Sequence, residues 1–161
     1  MSRIIIAPSI LACNLACLTQ ETRKVLSAGA DWVHVDIMVS TTQDGHFVPN
    51  LSLGPPVVKC LKADLPDAFL DCHLMVSNPA VYLTPLQKAG AGQFTFHWEA
   101  VSREPYTAVE GEFRAFLQDI RAAGMRTGVA LKPATEVPEV LRRAVQDSLV
   151  DLVLIMTVGN S

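Results

Sequence analysis

The chain has 161 residues, half of them hydrophobic and 18% charged, with a formal net charge of −3. Low hydrophobicity with high net charge marks disorder, and this chain shows the reverse; without a Lys/Arg cluster, no nucleic acid partner is expected. Its longest apolar run, Leu152–Met156, falls far short of the ~20 residues of a membrane span, and Met1-Ser2-Arg3 running straight into Ile4-Ile5-Ile6 lacks a signal-peptide shape, so no membrane is expected and the location is read as cytoplasmic.

Taken in order, Arg3–Ser9 reads as a first strand. Asn14 is an N-cap for a helix to about Ala28, ended by Gly29. Asp31–Met38 is the second strand, and Ser40 to Asn50 a polar loop. Gly54-Pro55-Pro56 opens a helix to about Leu61, since proline suits a first helical turn. Ala68–Met75 is the third strand, and Asn78-Pro79 starts a helix that runs to Gly90. Gln93–Trp98 is the fourth strand, Tyr106–Ala123 a helix stopping at Gly124, and Arg126–Leu131 the fifth strand. Thr135 caps a helix to about Gln146, and Asp151–Thr157 is the sixth strand.

Six strands alternating with five helices predict βαβ units and a parallel sheet. Helix-end phrases recur at Ala28-Gly29, Ala89-Gly90 and Ala123-Gly124, and no linker interrupts residues 1–161, which read as one domain. No G-x-G-x-x-G follows the first strand, which weakens a dinucleotide-binding sheet against a (β/α) barrel. Cys13, Cys17, Cys60 and Cys72 lack the spacing of a zinc knuckle and are read as reduced, mostly buried thiols.

Side chains alternate across a strand, so His34, Asp36 and Met38 share one face of the second strand. Asp71, His73 and Met75 share one face of the third. Strands covered on both sides should read as almost continuous apolar runs, and these two break that rule alike. Two readings stay open for the stripe. It is either a hydrogen-bonded core cluster or a mixed N/O ligand set, which suits Zn, Fe, Mn or Co better than Ca or Mg. His97 and Glu99 on the fourth strand form another inward pair, read as structural support rather than direct catalysis. Met38, Met75 and Met156 sit near strand ends, where plain core is the ordinary reading. The loop Asp44-Gly45-His46 is read as a turn rather than a second metal site.

Several phrases occur together and in order: Ile6-Ala7-Pro8-Ser9-Ile10-Leu11, His34-Val35-Asp36-Ile37-Met38, Asp44-Gly45-His46-Phe47-Val48-Pro49-Asn50, Gly54-Pro55-Pro56, Asp71-Cys72-His73-Leu74-Met75, Gly128 to Thr135, and Val153 to Val158. With these the chain resembles the ribulose-phosphate 3-epimerases over nearly its whole length. The resemblance implies a (β/α)8 TIM barrel, here incomplete, with about six strands and five helices. It implies interconversion of D-ribulose 5-phosphate and D-xylulose 5-phosphate, in the pentose phosphate pathway, through a metal-stabilised enediolate. It implies His34, Asp36 and His73 as ligands of a divalent metal cation (Zn, Fe, Mn or Co), with Asp36 also one of two proton-transferring carboxylates. It further implies that Ser9 and His73 contact the pentulose 5-phosphate, that Met38, Met75 and Met156 line its pocket, and that an intact form is a homodimer.

The sequence departs from the family pattern twice. Residues 39–43 interrupt the run from Met38 to Asp44-Gly45-His46-Phe47. The chain also stops at Ser161, before the family's Gly-rich phosphate loop, its last two strands and its second catalytic aspartate. It is therefore expected to be a truncated product, from an alternative transcript or a fragmentary gene model, with much reduced activity. The competing function is a non-catalytic partner or decoy for intact subunits; another sugar-phosphate or tryptophan-pathway barrel is disfavoured by the two polar stripes.

Overall fold

A computed structural model of the chain describes residues 3–39, 51–102 and 110–157. Five strands form one parallel sheet in sequential order: β1 (Val33–Met38), β2 (Leu70–Met75), β3 (Gln93–His97), β4 (Arg126–Leu131) and β5 (Leu152–Ile155). The helices among the described residues are α1 (Leu18–Ser27), α2 (Pro55–Asp64), α3 (Leu83–Ala89), α4 (Trp98–Val101), α5 (Glu110–Ala122) and α6 (Glu139–Gln146). Sequential strand order with helical crossovers is the winding of a (β/α) barrel, of which the described residues form a part. No helix among the described residues is long and apolar enough to cross a membrane.

The expected first strand is reduced to one bridge, Ser9 with His34, so the sheet has five strands rather than six. The segment still lies along β1: the His34 N–H donates to Pro8 O at 3.0 Å, and the Ile10 N–H to His34 O at 3.2 Å. Its ladder stops there for two local reasons. Pro8 has no N–H to give, and the Ile6 N–H is taken by the Asp31 side chain at 2.9 Å.

Local signals explain most helix ends. The Asn14 side chain accepts from the Ala16 N–H, capping the short 3-10 turn Leu15–Cys17 that leads into α1. Proline occupies the first turn of α2 after an extended Gly54. The Ala-Gly phrases mark the ends of α1, α3 and α5, each followed by a glycine with positive φ. At Gly90 (φ +85°) the turn is also crowded, since a Cβ there would meet the Lys62 side chain. The expected cap at Thr135 is not formed. α6 begins at Glu139, with Pro138 at its N-cap, and Thr135 is engaged elsewhere. The expected start of the fourth predicted helix at Tyr106, and the loop of residues 40–50 including Asp44 and His46, lie outside the described residues.

The core lies between the sheet's outer face and the helices. Val33, Val35, Ile37, Leu70, Cys72, Leu74, Phe94 and Phe96 are fully buried there, against Val58, Leu86, Leu117 and Ile120. Burying each large apolar side chain contributes roughly 1.5–3 kcal/mol. Phe96 packs edge-on to Phe116 at 4.9 Å, and Trp98 edge-on to Phe113 at 5.2 Å. All four cysteines are free thiols, but only Cys72 is buried; Cys17 and Cys60 lie on exposed helical surface.

The register sets the other face. His34 pairs with Asp71, Asp36 with His73 and Met38 with Met75, so the two polar stripes lie side by side. β3 continues them, with Asp71 opposite Gln93 and His73 opposite Thr95.

Candidate metal centre

Two strands, β1 and β2, and the segment beside β1 bring the predicted residues together. His34 Nε2 lies 3.3 Å from Asp36 Oδ1, and His73 Nδ1 lies 3.1 Å from the same oxygen. Ser9, carried by the segment along β1, donates its hydroxyl to Asp36 Oδ2 at 2.5 Å. Donor atoms each roughly 2.1 Å from one ion sit roughly 3.0–3.4 Å apart, so these separations fit a shared cation. One ligand atom from each of His34, Asp36 and His73 falls within 4.8 Å of the others. The donor set, two imidazoles and a carboxylate, is that of a transition-metal site rather than a calcium site.

The electrostatics follow from this packing. Burial alone would raise the Asp36 carboxyl, but its close polar contacts with His34, His73 and the Ser9 hydroxyl hold it well below the usual carboxylate range. Burial would lower His34; the Asp36 and Asp71 carboxylates overcome it and raise this imidazole to about 9. For His73 burial wins, and the ring is pushed below its ordinary value despite Asp36. Asp36 is thus an anion, the form required of a ligand or a base, beside a neutral imidazole.

Residues outside the expected site support it. His34 Nδ1 donates to Asp71 Oδ2 at 2.7 Å, which turns Nε2 toward Asp36. Asp71 is itself held by Gln93 Nε2 at 2.7 Å and by the Thr95 hydroxyl at 3.3 Å. The sequence showed Asp71, Gln93 and Thr95 on alternating positions, which was the available signal, but gave them no role. His97 ends β3 and meets His73, Nε2 to Nε2, at 2.9 Å. Glu99 is not on that strand as expected: the chain turns into α4 after His97. From there Glu99 Oε1 accepts the Lys132 N–H at 2.8 Å and the Thr135 hydroxyl at 2.5 Å. Those partners lie more than thirty residues away in sequence, and no local pattern announces them.

The methionines divide. Met75 is buried with Ala100, and the half-buried Met38 packs against them at the same strand ends. Met156 is half-buried just beyond β5, its N–H donating to Leu131 O, and lies outside that cluster.

Residues 5–160 match the sequence model of the ribulose-phosphate 3 epimerase family. The chain belongs to that family. The cytoplasmic isoform of ribulose-phosphate 3-epimerase from Oryza sativa subsp. japonica is 48% identical over 153 residues, covering 95% of this chain and 61% of its own length. The enzyme of that name from Eremothecium gossypii is 40% identical over 168 residues, covering 98% of this chain and 63% of its own. The one from Mycobacterium tuberculosis strain H37Rv is 47% identical over 131 residues, with coverages of 81% and 50%. The chain therefore spans between half and two thirds of the length of these relatives. Among solved structures, a GH18 chitinase from Flavobacterium johnsoniae superposes with a TM-score of 0.53 at 12% identity, over 99% of this chain and 55% of that one, a likeness of fold alone. With family membership, the fold is that of a TIM-barrel family, here with five strands described.

Proposed function

We propose that this chain carries the proton-abstracting half of a ribulose-phosphate 3-epimerase site, acting on D-ribulose 5-phosphate and D-xylulose 5-phosphate. The observation that carries the reading is the anionic Asp36 held between His34, His73 and the Ser9 hydroxyl. A C–H beside a ketone is a weak acid, and its removal needs both a base and relief of the charge left on oxygen. A divalent cation, of Zn, Fe, Mn or Co type, supplies that relief when bound, by polarising the ketone oxygen. His34, Asp36 and His73 would hold it, each offering one atom of the set.

Asp36 takes the proton from C3, and the C–H electron pair moves into the C2–C3 bond to give an enediolate. Ser9 orients the Asp36 carboxylate through Oδ2 and, in this reading, contacts the substrate with His73. Met38 and Met75 give one wall a soft, apolar lining that keeps water away, and the reading assigns Met156 to the same lining. Inversion requires a proton returned to the opposite face, from a second carboxylate that the resemblance does not match to any residue of this chain. The match over residues 5–160 supports treating residues 1–161 as one partial barrel domain. A cytoplasmic location is supported by the rice relative, named a cytoplasmic isoform, and a homodimer of the intact form completes the proposal.

The comparisons favour this enzyme reading and lend no support to a non-catalytic partner. Deuterium incorporation at C3 of ribulose 5-phosphate, in heavy water with added metal, tests it. We expect exchange at C3 to outrun net epimerisation. A folded, metal-loaded chain that gives no C3 exchange overturns the proposal.

A further inference from the structure

The two imidazoles of the site are tied off differently. The second nitrogen of His34 meets a carboxylate, so that contact alone fixes its proton. The second nitrogen of His73 meets another imidazole, and both His73 and His97 are only 1% exposed. A hydrogen bond between two ring nitrogens needs one N–H and one lone pair. Which ring donates is decided one residue further on. Glu99 Oε2 lies 3.4 Å from His97 Nδ1. The carboxylate is anchored, because its other oxygen accepts from the Lys132 N–H and the Thr135 hydroxyl. An anion held beside Nδ1 favours a proton on that nitrogen. A neutral His97 then presents a lone pair at Nε2. Once a cation takes the place of any proton on His73 Nδ1, which lies 3.1 Å from Asp36 Oδ1, His73 donates from its own Nε2 to that lone pair. Two lone pairs that face each other at this distance repel, and a cation between them removes the repulsion.

We propose that His97 and Glu99 are positioning residues that hold His73 in the Nε2–H tautomer and so present its Nδ1, with Asp36, to a divalent cation. The inference rests on reading His34, Asp36 and His73 as ligands. It adds that the proton on the third ligand is placed from the loop after β4, through Lys132 and Thr135, and not from β1 or β2.

Co(II) titration of the full chain, followed by ligand-field absorption, tests both levels. Outer partners of a metal-bound histidine typically contribute 10–100-fold to affinity, so His97→Phe is expected to weaken Co(II) binding by about that factor. His97→Gln keeps an acceptor for the Nε2–H and is expected to recover most of the loss. Glu99→Gln, which removes the anion, falls between them. In the Zn(II)-loaded wild type, nitrogen-15 spectra are expected to show His73 protonated at Nε2. Unchanged Co(II) affinity in a folded His97→Phe chain overturns the inference, as does His73 protonated at Nδ1. If circular dichroism shows His97→Phe unfolded, His97→Gln against Glu99→Gln and the wild-type spectrum decide. The ligand reading fails separately if His34→Ala leaves Co(II) affinity unchanged, and a wild-type chain that binds no Co(II) overturns both.

Discussion

The inward faces of β1–β3 and of β4–β5 are built from opposite materials. The first carries His34, Asp36, Asp71, His73, Gln93, Thr95 and His97, nearly all buried and joined by hydrogen bonds. The second carries Gly128 and Ala130 on β4, in register with Leu152 and Leu154 on β5, and its one polar side chain, Arg126, lies exposed at the start of β4. The outer faces differ too. Phe94 and Phe96 on β3 are completely covered, whereas Val153 and Ile155 on β5 are 38% and 58% exposed. Buried polar side chains are costly unless they are paired, so a sheet that concentrates them on three strands and links them by hydrogen bonds, leaving Gln93 Oε1 without one, has been shaped around that region. The small residues of β4 serve it by leaving room for Thr95.

The largest effect that separates the two regions should come from Asp36→Asn. Losing the proton-transferring group is expected to cut C3 exchange by about 10²–10⁴-fold, measured by deuterium uptake, while the chain keeps its fold by circular dichroism. An equal loss from Leu154→Ala would erase the contrast.

The outer faces give the next largest difference. Phe96→Ala should destabilise the chain by about 3–5 kcal/mol in denaturant unfolding, because the cavity it leaves is enclosed by Phe113 and Phe116. Ile155→Ala should change stability by no more than about 0.5 kcal/mol.

Gly128 sharpens the comparison where the regions meet. A Cβ there would lie 2.1 Å from Thr95 Oγ1 and 2.8 Å from Thr95 Cβ. Gly128→Ala is expected to cost about 1–3 kcal/mol through this overlap. Thr95→Ala in the same chain should restore part of it, a coupling that a double-mutant cycle reads directly.

A smaller effect is expected from pH. Burial would raise Glu99, but its contacts with His97, Thr135 and the Lys132 N–H hold the carboxyl at about 2, against an ordinary value of 4.5. The folded state prefers the anion. Its contribution to stability is therefore complete above about 4.5 and is lost as pH falls from there toward about 2. Melting temperatures through that window should fall less steeply for Glu99→Gln than for the wild type.

The site was legible where its geometry is local. Period-two alternation set His34 and Asp36 on one face and Asp71 and His73 on one face, and parallel pairing did the rest. The first segment reads as a strand because its Ile4-Ile5-Ile6 run is apolar and β-branched. Its ladder is cut by Pro8 and by the Asp31 side chain, and Ile4 remains 85% exposed. Glu99 reads as a strand residue because it extends the alternation from Gln93 to His97; the turn into α4 ends that alternation. Thr135 looked like a cap and instead holds Glu99, a tertiary contact that sequence spacing does not encode. The fit of three donors around one point also depends on register, and only the assembled strands show it.

Crystals of the chain soaked in Zn(II) and measured at the zinc absorption edge test the central claim most directly. The account predicts an anomalous peak within bonding distance of His34 Nε2, an Asp36 carboxylate oxygen and His73 Nδ1. A peak at other residues alone, or none at this triad in crystals that take up the metal, would contradict it.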